Sequence, residues 1–239
     1  MPASPIKLIT FDLDNTLWDV EPALLRAEQA QYLWLQQHRP AVTRKFNPQA
    51  MRDFRVTHYK QHPELAHQIS AIRISAVQAM LLAAGYDSDN ANAGAQAAFD
   101  VFMELRHQVQ PYEQALDVLQ QLSKEYQLGA LTNGNADIFK LELGDCFDFS
   151  FSAEQVDASK PLPDMFHAAM SAAQVDNHQV VHVGDNPHHD IYGAKQVGLF
   201  TVWMNSGDWR WPRGEPADEE ISKLQQLPDA IRRIEAKLA

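Results

Sequence analysis

The 239-residue sequence predicts an α/β fold built on a parallel sheet. Three observations carry that expectation. Five short apolar runs punctuate the chain, helical segments of ordinary length separate the last four, and one long interval lacks any convincing strand pattern. The runs are IKLITF (6–11), LGALT (128–132), FDFSFS (147–152), VVHVG (180–184) and LFTVW (199–203). Several are almost continuously apolar instead of alternating, as befits strands covered on both faces. The intervening helices are expected around 136–143, 163–174 and 189–197, with Pro163 suited to a first helical turn. Together these elements describe a Rossmann-like sheet flanked by helices.

The exceptional interval runs from Asp19 to His107. In EPALLRAEQAQYLWLQQH (21–38) the apolar positions suit helix better than strand. Ile69, Ile72, Ala76, Met80 and Ala84 share one helical face, and Gly85 is a fitting stop. This block reads as an all-helical insertion. Residues 1–18 and 108–239 are expected to form the α/β core and residues 19–107 a helical cap, since long insertions after a strand end often cover sites. The segment NSGDWRWPRGEPADEE (205–220) reads as loop, and its Trp209 and Trp211 as packing for the C-terminal segment.

Composition narrows the function. Twenty Lys and Arg against 31 Asp and Glu leave a net charge of −11, with no basic cluster of the kind that binds nucleic acid. The single cysteine, Cys146, precludes an internal disulfide and suits a reducing compartment. No apolar run approaches the roughly 18 residues that span a bilayer, and the N-terminus lacks a signal pattern. The expectation is a cytoplasmic protein with a small-molecule partner, and neither a nucleic acid nor a membrane.

Ligands of open α/β sheets bind beyond the carboxyl ends of the strands, so the polar residues expected there matter most. Asp12 and Asp14 follow the first strand, and Thr132, Asn133 and Gly134 the second. Lys160, in SKP, follows the third, and Asp185 and Asp190, in VGDNPHHD, follow the fourth. Converging carboxylates repel unless protons or a cation join them. An oxygen-only set without cysteine suits Mg²⁺. Thr132 and the backbone N–H groups near Asn133 can donate to phosphate oxygens, and Lys160 can offset charge during phosphoryl transfer. Each fragment alone is an ordinary turn, cap or solvated loop; their order and strand context give them weight. His178, His182, His188 and His189 match no zinc spacing.

The segments FDLDNT, LTN, SKP and VGDNPHHD, in this order, resemble the four signatures of the haloacid dehalogenase-like superfamily. The resemblance implies that Asp12 is a nucleophile forming an aspartyl-phosphate and that Asp14 is the general acid and then the base. It implies Mg²⁺ held by Asp12, Asp185 and the Asp14 carbonyl, and phosphate bound by Thr132, Asn133 and Lys160. Asp190 would support the metal shell or orient Lys160. Asn186 departs from the second Asp that some relatives carry after the Asp185 position.

Asp14 also favours phosphoryl chemistry over dehalogenation, because a departing halide needs no proton. Lys45 and Lys60, the lysines within the cap, stand in no context that supports the Schiff base of a phosphonatase. The implied activity is hydrolysis of small phosphomonoesters. A phosphomutase of sugar phosphates, or a phosphate-ligand-binding protein without turnover, is the alternative. LTNGNA and the Ala-rich SAVQAMLLAAG run further resemble bacterial capped phosphatases of flavin mononucleotide and related riboflavin-pathway phosphates. That implies flavin mononucleotide or 5-amino-6-(5-phosphoribitylamino)uracil as substrate, with Trp34, Phe54 or Tyr59 as stacking surfaces for the ring.

Overall fold

The computed structural model describes residues 5–207, 209–212 and 214–238. It divides into two compact units, residues 1–19 with 110–239, and residues 20–109.

The first unit contains β1 (Leu8–Phe11), β2 (Gln127–Thr132), β3 (Phe149–Ser152), β4 (Val180–Gly184), β5 (Phe200–Met204) and β6 (Glu219–Ile221). All pair in parallel, in the order β3-β2-β1-β4-β5-β6. The five apolar runs thus become the first five strands. The sixth, EEI, carries too little apolar signal to stand out from the loop expected there. β1 and β4 are buried along their whole lengths, as strands sandwiched between helices must be. Leu8, Leu131 and Val180 pack with Met165, Phe166 and Ala169 on one face of the sheet. The last three belong to the helix Asp164–Ala173.

Sequence order reverses direction between β1 and β4, which opens a crevice at their carboxyl ends. Asp12 and Asp185 lie just beyond those two ends. One expected element differs. In place of a helix over 136–143 there are two 3₁₀ turns, Ile138–Lys140 and Glu142–Cys146. The apolar residues there are too few and too closely spaced to line a helical face: Ile138 and Leu143 are buried, while Phe139 is exposed. Likewise, 189–197 is divided between a wide π-helical turn, Pro187–Tyr192, and a short helix, Gly193–Gln196.

The second unit is all-helical: α1 (Glu21–His38), α2 (Pro40–Lys45), α3 (Pro48–Gln61), α4 (Ile69–Ala83) and α5 (Ser88–Arg106). On α1 the residues at four-residue spacing, Ala23, Ala27, Gln31 and Leu35, are buried. On α4, Ile72, Ala76 and Met80 are buried, the stripe expected from the sequence. Of the aromatic side chains expected to offer stacking faces, Trp34 and Phe54 are partly buried against this unit's own core, while Tyr59 is exposed. Among the described residues no helix is long and apolar enough to cross a membrane.

Candidate active site

Every predicted site residue lies in the first unit, and most converge. Lys160 provides the hinge of the arrangement. Its Nζ lies 2.7 Å from Asp12 Oδ1, 2.7 Å from Asp190 Oδ1 and 2.6 Å from the Leu131 carbonyl oxygen. Lys160 is fully enclosed, so its charge is tolerable only because these partners surround it. Burial alone would lower its pKa, but Asp12 and Asp190 outweigh burial and hold the ammonium above its ordinary value.

A single ammonium does not neutralise two buried carboxylates equally. Burial works against the Asp190 charge, yet Lys160 and His182 hold its carboxyl well below the usual range. Asp190 Oδ1 also accepts from His182 Nε2 at 3.2 Å, and Oδ2 accepts from the Asn186 N–H at 3.0 Å. Burial pushes Asp12 well above its ordinary value, opposed by Lys160 and reinforced by Asp190 and Asp185. Burial, and then Asp190, push Asp185 up to about 7.

His182 reveals its tautomer through its partners. Burial, against the pull of Asp190, lowers its pKa, which favours the neutral ring. The Asp190 carboxylate can only accept, so Nε2 carries the hydrogen, and Nδ1 accepts from the Thr10 hydroxyl at 2.8 Å. Thr10 and His182 are register partners on β1 and β4. A buried relay therefore runs from Thr10 through His182, Asp190 and Lys160 to Asp12. Gly184 makes room for it, because a Cβ there would fall 2.3 Å from Asp190 Cγ.

The remaining predicted residues have distinct placements. The Asp14 Oδ1 accepts from Trp18 Nε1 at 2.9 Å, fixing the carboxylate against a buried indole. Thr132 Oγ1 accepts from the Gly134 N–H at 2.9 Å, which leaves its own O–H available to a ligand. Asn133 is turned elsewhere. Its side chain donates to the Lys160 carbonyl at 2.9 Å and accepts from the Lys160 N–H at 2.8 Å. Its amide thus positions the lysine.

Asn186, the departure from the family pattern, accepts from the His188 and His189 N–H groups and caps the π-helical turn. Sequence reasoning missed three supporting residues. Thr16 is buried and its hydroxyl lies 3.3 Å from Asp12 Oδ2 and 3.5 Å from Asp185 Oδ1. Trp18 orients Asp14, and Trp203 Nε1 donates to the Asp185 carbonyl at 2.7 Å. Thr16 and Trp18 were within sight in FDLDNTLWD, each four residues from an aspartate.

Carboxylate oxygens of Asp12, Asp185 and Asp190 lie within 4.8 Å of one another. Both Asp190 oxygens are already engaged, whereas Asp12 and Asp185 are the pair whose charges lack sufficient compensation. An all-oxygen donor set with raised carboxyl pKa values fits a hard divalent cation such as Mg²⁺.

Beside Asp185 a recess of about 710 Å³ is lined by Asn15, Tyr112, Trp203, Trp209 and Arg210 among others. Trp211 packs edge-on to Trp203 at 4.9 Å, as expected of a packing residue, but Trp209 is 73% exposed.

A family model described as haloacid dehalogenase-like hydrolase matches residues 6–198. The 5-amino-6-(5-phospho-D-ribitylamino)uracil phosphatase YigB of Escherichia coli (strain K12) is 34% identical over 234 residues, covering 96% of this chain and 98% of the relative. A glyceraldehyde 3-phosphate phosphatase of Pyrococcus abyssi is 32% identical over 237 residues, covering 96% and 94%. Among solved structures, a 2-haloacid dehalogenase from Pseudomonas syringae pv. tomato DC3000 has a TM-score of 0.89 at 41% identity, covering 95% of this chain and 99% of that one.

Proposed function

The chain belongs to the haloacid dehalogenase-like hydrolases and is a phosphoric monoester hydrolase, and we propose that it acts through an aspartyl-phosphate on Asp12 with Mg²⁺ as cofactor. The observation that carries the mechanism is the pairing of Asp12 with Lys160 beside Asp14, at the crevice between β1 and β4. The two relatives named as phosphatases, each matched over nearly its whole length, support the activity.

In the first half-reaction an Asp12 oxygen attacks phosphorus and the P–O bond to the alcohol breaks. Asp14, held by Trp18, gives its proton to the departing alkoxide. In the second half-reaction Asp14 takes a proton from water as that water attacks phosphorus, and Asp12 is released. Lys160 and the Thr132 hydroxyl bind the phosphoryl oxygens; Asp190 and Asn133 position Lys160. Asp12, Asp185 and the Asp14 main-chain carbonyl would hold the Mg²⁺. That cation would supply positive charge to offset the phosphoryl oxygens. The helical unit, residues 20–109, is the cap in this reading.

The Pseudomonas syringae neighbour, named a dehalogenase, supports a second reading. Chemistry favours the first: halide leaves without a proton, whereas an alkoxide needs the acid that Asp14 supplies. For substrate we favour flavin mononucleotide or 5-amino-6-(5-phosphoribitylamino)uracil, following the similarity to YigB. The test is a panel of phosphomonoesters assayed for phosphate release with Mg²⁺, beside 2-chloropropionate assayed for chloride release. Efficient turnover of those two phosphates over sugar phosphates and nucleoside monophosphates is expected. Chloride release without phosphate release would replace the phosphatase reading. Higher kcat/KM for several ordinary sugar phosphates would refute the riboflavin-pathway assignment alone.

A further inference from the structure

The segment after β5 holds a large aromatic side chain out in solvent, yet its backbone is tied down. Asn205 is buried at the base of this loop. Its Oδ1 accepts from the Trp209 N–H at 2.8 Å, and its Nδ2 donates to the Trp209 carbonyl at 2.9 Å and to Glu220 Oε1 at 2.7 Å. A single buried amide thus clasps both main-chain groups of Trp209 and links them to β6. An exposed indole on a floppy loop needs no explanation; one on an anchored backbone is arranged for contact.

Its surroundings indicate what it contacts. Trp209 and Arg210 line the same recess as Asp185 and Asn15, the residue next to Asp14. At about 710 Å³ the recess falls in the size range of sites for cofactor-sized molecules. Two of its aromatic members, Tyr112 and Trp209, offer flat apolar surface, while Trp203 is buried and Arg210 offers a cation that pairs with ring or chain oxygens.

We propose that this recess is the subsite for the leaving alcohol, that the alcohol carries a flat π-rich ring, and that Trp209 is the surface on which that ring stacks. The proposal rests on the phosphatase reading. It moves ring recognition from Trp34, Phe54 and Tyr59 of the helical unit, the first two partly buried against its core, to the loop after β5. Asn205 becomes a positioning residue, acting through the Trp209 backbone.

The experiment compares two phosphates of one chain type, flavin mononucleotide and ringless ribitol 5-phosphate. Trp209→Ala is expected to raise KM for flavin mononucleotide about tenfold, the usual effect of removing one aromatic stacking surface. KM for ribitol 5-phosphate, and kcat for both, should stay within about twofold, and Trp209→Phe should recover much of the loss. The residue is exposed, so the variant should fold, and thermal unfolding checks this. A second measurement is independent of turnover: flavin mononucleotide binding to the Asp12→Asn protein, read by flavin fluorescence, should weaken about tenfold when Trp209→Ala is added. Equal KM increases for both esters, an unchanged KM for flavin mononucleotide, or unaltered flavin binding overturns the subsite. Failure of the phosphatase reading looks different: no phosphate is released from any ester by the unmodified protein.

Discussion

Two isosteric substitutions in one carboxylate cluster should change the stability of the metal-free protein in opposite directions. Asp190→Asn replaces an acceptor-only group with an amide that must present its NH₂ to someone. One side of Asp190 faces Lys160 Nζ and His182 Nε2–H, and the other faces the Asn186 N–H. Whichever way the amide turns, donor meets donor. The loss combines a charge-assisted hydrogen bond of about 1.5–3 kcal/mol with a buried donor left unpaired. Breaking a buried ion pair costs about 3–5 kcal/mol, and Lys160 keeps Asp12 and the Leu131 carbonyl, so about 3 kcal/mol is expected. At about 2–4 °C per kcal/mol for a chain of this size, the midpoint should fall by about 6–12 °C.

Asp185→Asn should do the reverse. Burial and Asp190 hold the Asp185 carboxyl at about 7 against an ordinary 3.8, so the folded state binds its proton more tightly than the unfolded chain. Its contribution to stability is therefore favourable below about pH 4, falls as pH rises from about 4 to 7, and is fully unfavourable above that. At about 1.36 kcal/mol per tenfold in proton affinity the ceiling is about 4 kcal/mol, and solvent at this half-buried group reduces it to about 1–2 kcal/mol. Removing the charge should thus raise the midpoint by a few degrees at pH 8, with little change at pH 4. The assay is thermal unfolding in excess chelator, by circular dichroism, at both pH values. Destabilisation of similar size by both substitutions at pH 8 would refute the assignment of Asp190 as compensated and Asp185 as uncompensated.

Other expectations concern turnover. Asp12→Asn should leave the protein folded and reduce phosphate release by several orders of magnitude, as removal of a nucleophile does; near-normal kcat would end the covalent mechanism. Asp14→Asn should slow single-turnover phosphorylation by alkyl phosphates far more than by nitrophenyl phosphate, whose departing oxygen needs less protonation, and equal losses would remove Asp14 as the acid. Exhaustive chelation should abolish activity, Mg²⁺ should restore it, and Asp185→Asn should raise the Mg²⁺ concentration at half-activity.

The backbone of this architecture was readable where local pattern and global fold agree. Five strands announced themselves because a strand covered on both faces must be apolar throughout. The edge strand EEI did not, since an edge needs little burial. The four site segments could be placed because three of them end a strand and the fourth, SKP, lies in the connection after β3, at the edge where a parallel sheet exposes its functional face. What remained hidden was pairing across the chain. Nothing near Asn133 in sequence says that its amide will clasp the Lys160 backbone, 27 residues away. The link between Thr10 and His182 depends on strand register, which alternation alone does not fix. Trp209 was misjudged for a related reason. Beside Trp211 it looked like half of a packing pair, and only the Asn205 clasp separates the packed indole from the presented one.

On the proposed mechanism, the relay behind Lys160 bears on how a protein of net charge −11 would receive an anionic substrate at this point. A phosphate group approaching Asp12 meets a carboxylate first, and repulsion favours its departure. Lys160 cannot counter this alone, because Asp190 already claims much of its charge. Without Asp190, however, the buried ammonium would be shared only between Asp12 and the Leu131 carbonyl, holding more tightly the oxygen that attacks in the proposed mechanism. His182 and the Asn186 N–H stabilise Asp190 from behind, which keeps that second claim strong. The division leaves Asp12 tethered but incompletely neutralised, with Asp185 beside it in the same condition. A divalent cation at this pair would supply positive charge for both carboxylates and for a phosphoryl group, so the Mg²⁺ requirement we propose would follow from how one lysine is shared as much as from the number of aspartates nearby.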